Sequence, residues 1–576
     1  MNIKNKERLE KIIAVIVPII FLAYGLIKSA KGIELADSGY NYGNFKNLSM
    51  LDGMWLYSTY LSNVLGALFT GLPFGNIMLG MNIYCGILKC IIPIAFYYFL
   101  TGTKKIKWPV AFFGELAALG LCWCPVALIY NYLTYLLFGA CIILLISGLL
   151  GKKSYLLFFA GIVLGLNVFT RLPNICECAL ILIVIGYSVF EKEKVSECIK
   201  KSLICIGGFA AAVVVMLLIA GPSAYINGIS ELFGATKEAT EYSPLGMIGD
   251  ILAGYKDSLF YLIRTAGFLI GIIIISILIP VKLKKIRFAV TVILSTLFLY
   301  YMETNSLFGF EYDSLGAVFQ FAVLWIDISI IVFITAIIDK NTGSEMRLLS
   351  LAGLTVILIT PIGSNNGLYP VLNNMFLIFP VSIQLVYDYS RKEISLIKGR
   401  LKGDMFFGSL GACIVMLIIS CLGTGMFCLF NDKDANYWVE FNPVLAGMNT
   451  NETLVHELTG LSGYYQGITK DGNTELLLYG NIPALMYYLD GEPAISSTWP
   501  DLDSYSSEKF EISLDTMDDY PVIMIGQGSL LYDIEDLTSE VQDDLSNKEK
   551  ILLEYIKNNN YSLDYVNQIA KVYIVK

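Results

Sequence analysis

Lys4-Asn-Lys6-Glu-Arg8-Leu-Glu-Lys11 runs straight into Ile12-Ile-Ala-Val-Ile-Val-Pro-Ile-Ile-Phe-Leu-Ala-Tyr-Gly-Leu-Ile-Lys-Ser-Ala30, and then into Lys31-Gly-Ile-Glu34-Leu-Ala-Asp37-Ser-Gly-Tyr40. A basic flank ahead of an apolar run long enough to cross a bilayer reads as a span entered from the cytoplasm. The polarity is also that of a signal peptide. The run is long for such a segment, however, and shows no clear small-x-small exit, so it is read as an uncleaved first span.

Working outward, further apolar runs of spanning length fall near 76–101, 108–124, 132–150, 155–170, 174–190, 202–220, 258–280, 287–302, 315–338, 347–362, 374–389 and 405–430, about thirteen in all. With a cytoplasmic N-terminus, the even-numbered connections should be the basic ones. They are: Lys104/Lys105/Lys107, Lys152/Lys153, Lys192–Lys201, Lys282–Arg287, Lys340–Arg347 and Arg391–Lys402. One span more or fewer would move half of these loops across the membrane.

The apolar, aromatic stretch 45–73 is broken by Asp52-Gly53 and Gly71-Leu-Pro73, and counting it as a span would destroy that alternation. It is therefore expected to form one or two juxtamembrane helices in a long first external loop, 31–75, with Trp55, Tyr57 and Tyr60 suited to the interface.

Composition agrees with a membrane as solvent: 56% of the 576 residues are hydrophobic and 15% charged. The net charge of −9 hides a division. Residues 1–430 carry 32 basic and 24 acidic side chains, whereas 431–576 carry 8 and 25. An acidic segment without arginine repels nucleic acid and anionic headgroups, which sets nucleic-acid binding aside. All 12 cysteines precede residue 430, so the acidic part has no disulfide framework, and Cys122-x-Cys124 reads as helix packing. A single histidine, His456, excludes multi-histidine metal sites and argues against a Ser-His-Asp triad.

The fold class expected is thus an α-helical polytopic membrane protein over 1–430 with an extracytoplasmic acidic α/β domain over 431–576, joined by a linker at 431–436. Strands are expected at Glu475–Tyr479, Pro521–Ile525 and Lys571–Val575, and helices at Pro483–Leu489 and Lys548–Asn558. The expected location is the plasma membrane.

Two external residues stand out chemically. Asp37 lies a few positions beyond the first span, where a carboxylate can deprotonate an acceptor hydroxyl at the membrane surface; a solvated loop acid is the plainer reading. Arg171 closes Gly161-Ile-Val-Leu-Gly165-Leu-Asn167-Val-Phe-Thr170-Arg171-Leu-Pro173-Asn174 on the side where basic residues are scarce. Its guanidinium suits a phosphate diester at headgroup level; snorkelling to lipid, or pairing with Glu177, is the alternative. Glu34, Tyr40, Tyr130, Asn131, Tyr132, Asn174, Glu303, Asn365 and Asn366 are further pocket candidates, as sugar hydrogen-bonders or stacking rings, with Tyr135, Glu311 and Asp313 nearby. Lys89 and Glu115 are expected to form a structural ion pair between spans, and Asp327 has no evident partner. Trp499, Tyr487 and Tyr488 read as core aromatics.

On Asp37, Tyr40 and Arg171 the chain resembles the membrane-embedded glycosyltransferases of the GT-C superfamily that use polyprenyl-phosphate sugars, such as protein O-mannosyltransferases and lipid A aminoarabinose transferases. That family's first external loop bears a functional Asp, often as Asp-Glu-x-x-Tyr. Two juxtamembrane helices follow it, and a basic residue after a Gly-rich span grips the lipid phosphate. The resemblance covers most of 1–430 and implies a glycosyltransferase with a lipid-linked sugar as donor and a glycan, lipid or protein as acceptor. Ser38 stands where the common pattern has Glu, which leaves a second acid and a divalent cation open. A lipid or polysaccharide transporter working through Lys89, Glu115 and Asp327, and a non-catalytic envelope assembly protein, are the competing readings.

Overall fold

The structure is a computed structural model, and it describes residues 3–103, 105–238, 244–280, 282–312, 314–391, 394–396, 399–401, 404–427, 435–440, 442–469, 475–517, 519–532 and 544–575. Each apolar run read from the sequence coincides with helix, from Ile3–Leu26 through Met78–Gly102, Trp108–Leu121, Ile129–Leu150 and Ser154–Thr170 to Asp404–Phe427. By length and composition, seven helices among the described residues suffice to cross a membrane: Met78–Gly102, Ile129–Leu150, Leu172–Phe190, Val195–Ala220, Lys285–Thr304, Gly316–Ile338 and Leu410–Phe427. Others, such as Trp108–Leu121 and Ser154–Thr170, are apolar but shorter, so a total of thirteen crossings does not follow from helix length.

Some of the basic connections contact neighbouring helix ends. Lys107 donates its backbone N–H to Gln384 Oε1 at 3.1 Å and lies over the Tyr387 ring. Arg347 stacks on Phe190, and Ser344 bonds Glu191. The first loop lies beside the C-terminal region, and the 363–374 segment receives both the 122–131 connection and Arg171.

Between the first two long helices the chain forms Asp37–Lys46, Gly53–Ser58 and Tyr60–Thr70. The stretch 45–73, expected to form one or two helices, forms Gly53–Ser58 and Tyr60–Thr70, preceded by a third short helix. Pro222–Glu238 is a helix that the apolar runs did not announce; it packs on Gly53–Ser58, where Gly53 and Gly228 let the backbones approach. Tyr57, Tyr60, Tyr225 and Phe169 seal that contact with aromatic pairs 5.0–5.6 Å apart.

The C-terminal region holds a five-stranded sheet in the spatial order Glu492–Pro493, Glu475–Tyr479, Val522–Gly526, Ala570–Val575, Tyr561–Val566, the first two pairings parallel and the last two antiparallel. Strand alternation divides its side chains. Leu477, Tyr479, Ile523 and Ile525 pack with Phe510 and Leu514 of helix Ser507–Asp515 and with Leu552 and Ile556 of Asn547–Asn558. Leu476, Leu478, Val522 and Met524 join helix Glu452–Ile468 in the core that continues into the membrane bundle. The three strands and two helices expected from sequence are all present, the Pro483–Leu489 helix shortened to Leu485–Tyr488. Most of the expected linker, 431–434, lies outside the described residues.

This region is strapped to the first loop. Ala484 N–H donates to Leu35 O at 3.0 Å, Asp52 N–H to Ser496 O at 3.1 Å, and Thr498 Oγ1 to Asn44 Oδ1 at 2.8 Å. Lys509 pairs with Asp52, and Lys46 with Asp490. Gly39 packs directly on Ala484, leaving no room for a Cβ.

Two expectations about intramembrane charge are corrected. Lys89 does not pair with Glu115: its ammonium donates to the Cys122 carbonyl and sits 5.6 Å from the Tyr132 ring centroid. Glu115 is fully buried, and both its carboxyl oxygens lack a hydrogen-bond partner among the described residues. Asp327 does have a partner, for Ser258 Oγ donates to its Oδ2 at 2.7 Å. That bond ties helix Pro244–Leu278 to Gly316–Ile338.

Candidate functional site

After the first helix the chain turns through Gly32, whose φ of +103° is open to glycine. Glu34 then accepts the backbone N–H groups of Ala36 and Ser38, satisfying donors that the first turn of a helix leaves free. The Tyr488 hydroxyl fixes Glu34 in turn, donating to its carbonyl at 2.7 Å and accepting its N–H at 3.3 Å. Asp37 therefore starts helix Asp37–Lys46 in a fixed frame. Asp37 is exposed as a residue, and its carboxylate makes no hydrogen bond or ion pair among the described residues. Surrounding protein atoms desolvate it and hold its carboxyl above the ordinary aspartate value. Glu34 is raised as well, by burial first and less by Asp37, against the lowering effect of its two N–H donors.

Tyr40, one turn further, is set edge-on between Trp499 at 5.2 Å and Trp55 at 6.2 Å. Burial raises its hydroxyl, with Asn44 as its hydrogen-bond partner. Trp499 donates its indole N–H to Asp501 Oδ2 at 3.3 Å, the oxygen that also takes the Asn481 N–H. Trp55 Nε1 is buried without a partner among the described residues. Trp499, expected in the core, thus comes from the acidic region to face the first loop. Only the tertiary fold makes that contact; no local pattern announces it.

Arg171 ends helix Ser154–Thr170 in extended backbone and donates to the Gly363 carbonyl. Gly363 has φ +81°, and a Cβ there would collide with the Pro173 ring. Half-buried Arg171 borders a cavity of about 20 Å³ with Thr134, Tyr135, Asn174, Glu177 and Thr360. Glu177 is held by Asn167 Nδ2 at 2.6 Å and lies in the field of Arg171. Gly363→Ala should destabilise the chain by at least about 1 kcal/mol from backbone strain alone, with further loss from the collision. A lowered Tm with displaced donor affinity would be the expected result, read by thermal unfolding and donor titration.

The 122–135 segment carries groups that interact electrostatically with residues of both regions. Cys124 is within electrostatic reach of Asp37, Tyr135 of both Cys124 and Arg171, and Tyr130 of both Tyr40 and Tyr135. Tyr130 and Asn131 are half-buried on this wall. Asn365 and Asn366 are exposed in the loop whose Gly363 receives Arg171, and Asn366 Nδ2 donates to Ser364 Oγ at 3.1 Å.

Other candidates are placed differently. Tyr132 is fully buried, with its hydroxyl donating to the Cys124 carbonyl, so its ring is not available to stack on a sugar. Asn174 is buried, its amide donating to Thr134 Oγ1 at 2.7 Å and to Asn167, which makes it a clamp between helices. Glu303 is exposed near the end of helix Lys284–Thr304, and among the described residues no hydrogen bond or ion pair ties it to this wall. Glu311 is exposed, and Asp313 lies outside the described residues.

For a divalent cation the fit is poor. Among the described residues no group of three or more His, Cys, Asp or Glu converges. The Glu34 oxygens are taken by backbone N–H groups, and Ser38 supplies no second acid beside Asp37.

Solved structures give a match. The chain is similar to ArnT from Cupriavidus metallidurans bound to undecaprenyl phosphate, at 8% identity and TM-score 0.45, over 99% of this chain and 98% of that one. It is also similar to the Archaeoglobus fulgidus oligosaccharyltransferase in complex with Zn and sulfate, at 11% identity and TM-score 0.46, over 89% and 68% of the two chains. The archaeal oligosaccharyltransferase AglB from the same organism, with an inhibitory peptide and a dolichol-phosphate, matches at 11% and 0.45, over 90% and 70%. No family model and no curated protein matches. Likeness at this level transfers no chemistry.

Proposed function

We propose that this chain is a membrane glycosyltransferase that moves a sugar from a polyprenyl-phosphate donor to an acceptor hydroxyl on the outer face of the plasma membrane. What supports the reading is an exposed Asp37 that starts a helix in a fixed frame, and Arg171 bordering a cavity with donors of its guanidinium left over from Gly363. The acceptor oxygen attacks the anomeric carbon as the bond from that carbon to the donor phosphate oxygen breaks, inverting the centre. Asp37 takes the hydroxyl proton, and polyprenyl phosphate leaves as an anion.

Arg171 spends one N–H on Gly363 and retains other donors of its planar fork for the phosphate, where they stabilise the charge that grows during cleavage. Tyr40, Trp55 and Trp499 supply aromatic surface for a sugar ring. No nucleotide loop is required. The reading is tested by reconstituting the full chain in proteoliposomes with a panel of polyprenyl-phosphate sugars and measuring transfer.

A pH dependence follows from the raised carboxyl. The working form of Asp37 is the charged one, present above its raised value and lost as pH falls through it. The acid limb of the rate profile should therefore have its midpoint above the ordinary aspartate value of about 3.9, and a limb at or below that value would contradict the assignment.

A further inference from the structure

Tyr488 belongs to the acidic region and is only 1% exposed, yet its hydroxyl ends on the first loop. It donates to the Glu34 carbonyl at 2.7 Å and accepts the Glu34 N–H at 3.3 Å, so one oxygen satisfies both backbone groups of that residue. Burial pushes this hydroxyl up, and it keeps the proton that it donates. The contact around it is close. Ala484 N–H donates to Leu35 O at 3.0 Å, Tyr487 packs on Tyr42 of helix Asp37–Lys46 at 5.4 Å, and a Cβ on Gly39 would stand 2.4 Å from the Ala484 methyl. Tyr488 is also held from behind. The buried Asn442 amide donates to its carbonyl at 2.7 Å, and Asn442 Oδ1 takes the N–H groups of Val444 and Leu445 at 2.9 and 3.1 Å. Val444 O receives the Met78 N–H at 2.8 Å, which ties the assembly to the start of helix Met78–Gly102.

A carboxylate that works as a base must stand within hydrogen-bond reach of the hydroxyl it deprotonates, and a displacement of about 1 Å can cost about 10²-fold in rate. Asp37 makes no side-chain bond of its own among the described residues, so its place is set by the backbone that carries it. That backbone is fixed by the Glu34 carboxylate, which takes the N–H groups of Ala36 and Ser38 on either side of Asp37. Glu34 is fixed in turn by Tyr488. We infer that Tyr488 is a positioning residue for Asp37, through which the C-terminal region sets the place of the base. Glu34, a pocket candidate from sequence, belongs to the same chain of bonds, because both its carboxylate oxygens are engaged by N–H groups. The inference rests on the sugar-transfer reading only for Asp37 being the base. It gives the acidic region a part in the chemical step itself.

The test compares two variants of the full chain. Tyr488→Phe keeps the ring and loses the hydroxyl; Tyr561→Phe loses a comparable bond, 3.0 Å to Pro521 O, on the edge strand Tyr561–Val566. In proteoliposomes with polyprenyl-phosphate sugars, Tyr488→Phe should lower kcat about 10- to 100-fold at unchanged KM for donor and acceptor, whereas Tyr561→Phe should keep kcat. On an Asp37→Asn background Tyr488→Phe should cost nothing further, since the carboxylate it positions is gone. Hydrogen exchange gives a readout independent of transfer. Amides of 36–46 should exchange about tenfold faster in Tyr488→Phe than in the wild type, and at the wild-type rate in Tyr561→Phe. Unchanged kcat or unchanged exchange in Tyr488→Phe, a rise in KM at unchanged kcat, or an undiminished further loss on the Asp37→Asn background would overturn the inference. If the wild type moves no sugar from any donor, the sugar-transfer reading falls by itself, and the exchange of the 36–46 amides still decides whether Tyr488 holds the loop.

Discussion

Asp37→Asn should lower sugar transfer by about 10²- to 10⁴-fold, the range for losing a positioned general base. Folding should hardly change, because the carboxylate makes no hydrogen bond or ion pair among the described residues and Glu34 caps the turn instead. The substitution also removes a negative charge from a helix N-terminus, an effect of about 0.3–1 kcal/mol. A hundredfold loss corresponds to about 2.7 kcal/mol, so the helix contribution cannot imitate it. Equal turnover by Asp37→Asn and wild type, at equal Tm, would remove Asp37 from the chemistry. A loss of turnover with a matching loss of Tm would reassign it to holding the first loop.

Arg171→Ala should cost about 10²- to 10³-fold in kcat/KM, as expected for deleting a donor aimed at developing charge. Arg171→Lys should keep part of the activity, since an ammonium supplies the charge but not the planar fork. The geometry adds a control. Arg171 also anchors Gly363, so the alanine variant frees the 363–367 loop as well. If the loop alone matters, the lysine variant should fail as completely as the alanine one, and donor KM should be unaffected. If phosphate binding matters, donor KM should rise in both, more in alanine.

What the sequence disclosed was set by how local each signal is. Apolar runs act within one helix and its flanks, so the helices could be read directly. The strands of the acidic region could be read for the same reason, Leu477 and Ile523 alternating with Leu476 and Val522. The helix Pro222–Glu238 escaped because its amphipathic face answers to Gly53 and Tyr57, far away in the chain.

The candidate site was legible only as positions. That Asp37 and Arg171 deserve notice follows from sidedness; that Tyr40 meets Trp499 does not, because 459 positions separate them. Tyr132 and Asn174 misled for a physical reason. At the end of a span, tyrosine and asparagine serve equally to face a ligand or to satisfy a buried carbonyl, and here Cys124 and Asn167 take them. Lys89 misled likewise: depth alone suggested Glu115, but a backbone carbonyl and an aromatic face were nearer.

The most direct test is to supply the reconstituted full chain with labelled polyprenyl-phosphate sugars, in the presence of envelope acceptors, and to follow free polyprenyl phosphate and transmembrane flux together. Wild type should release polyprenyl phosphate from at least one donor in step with sugar appearing on an acceptor, and the Asp37→Asn protein should release almost none. Movement of intact lipid-linked sugar across the membrane with no cleavage by wild type, or equal cleavage by both proteins, would contradict the account.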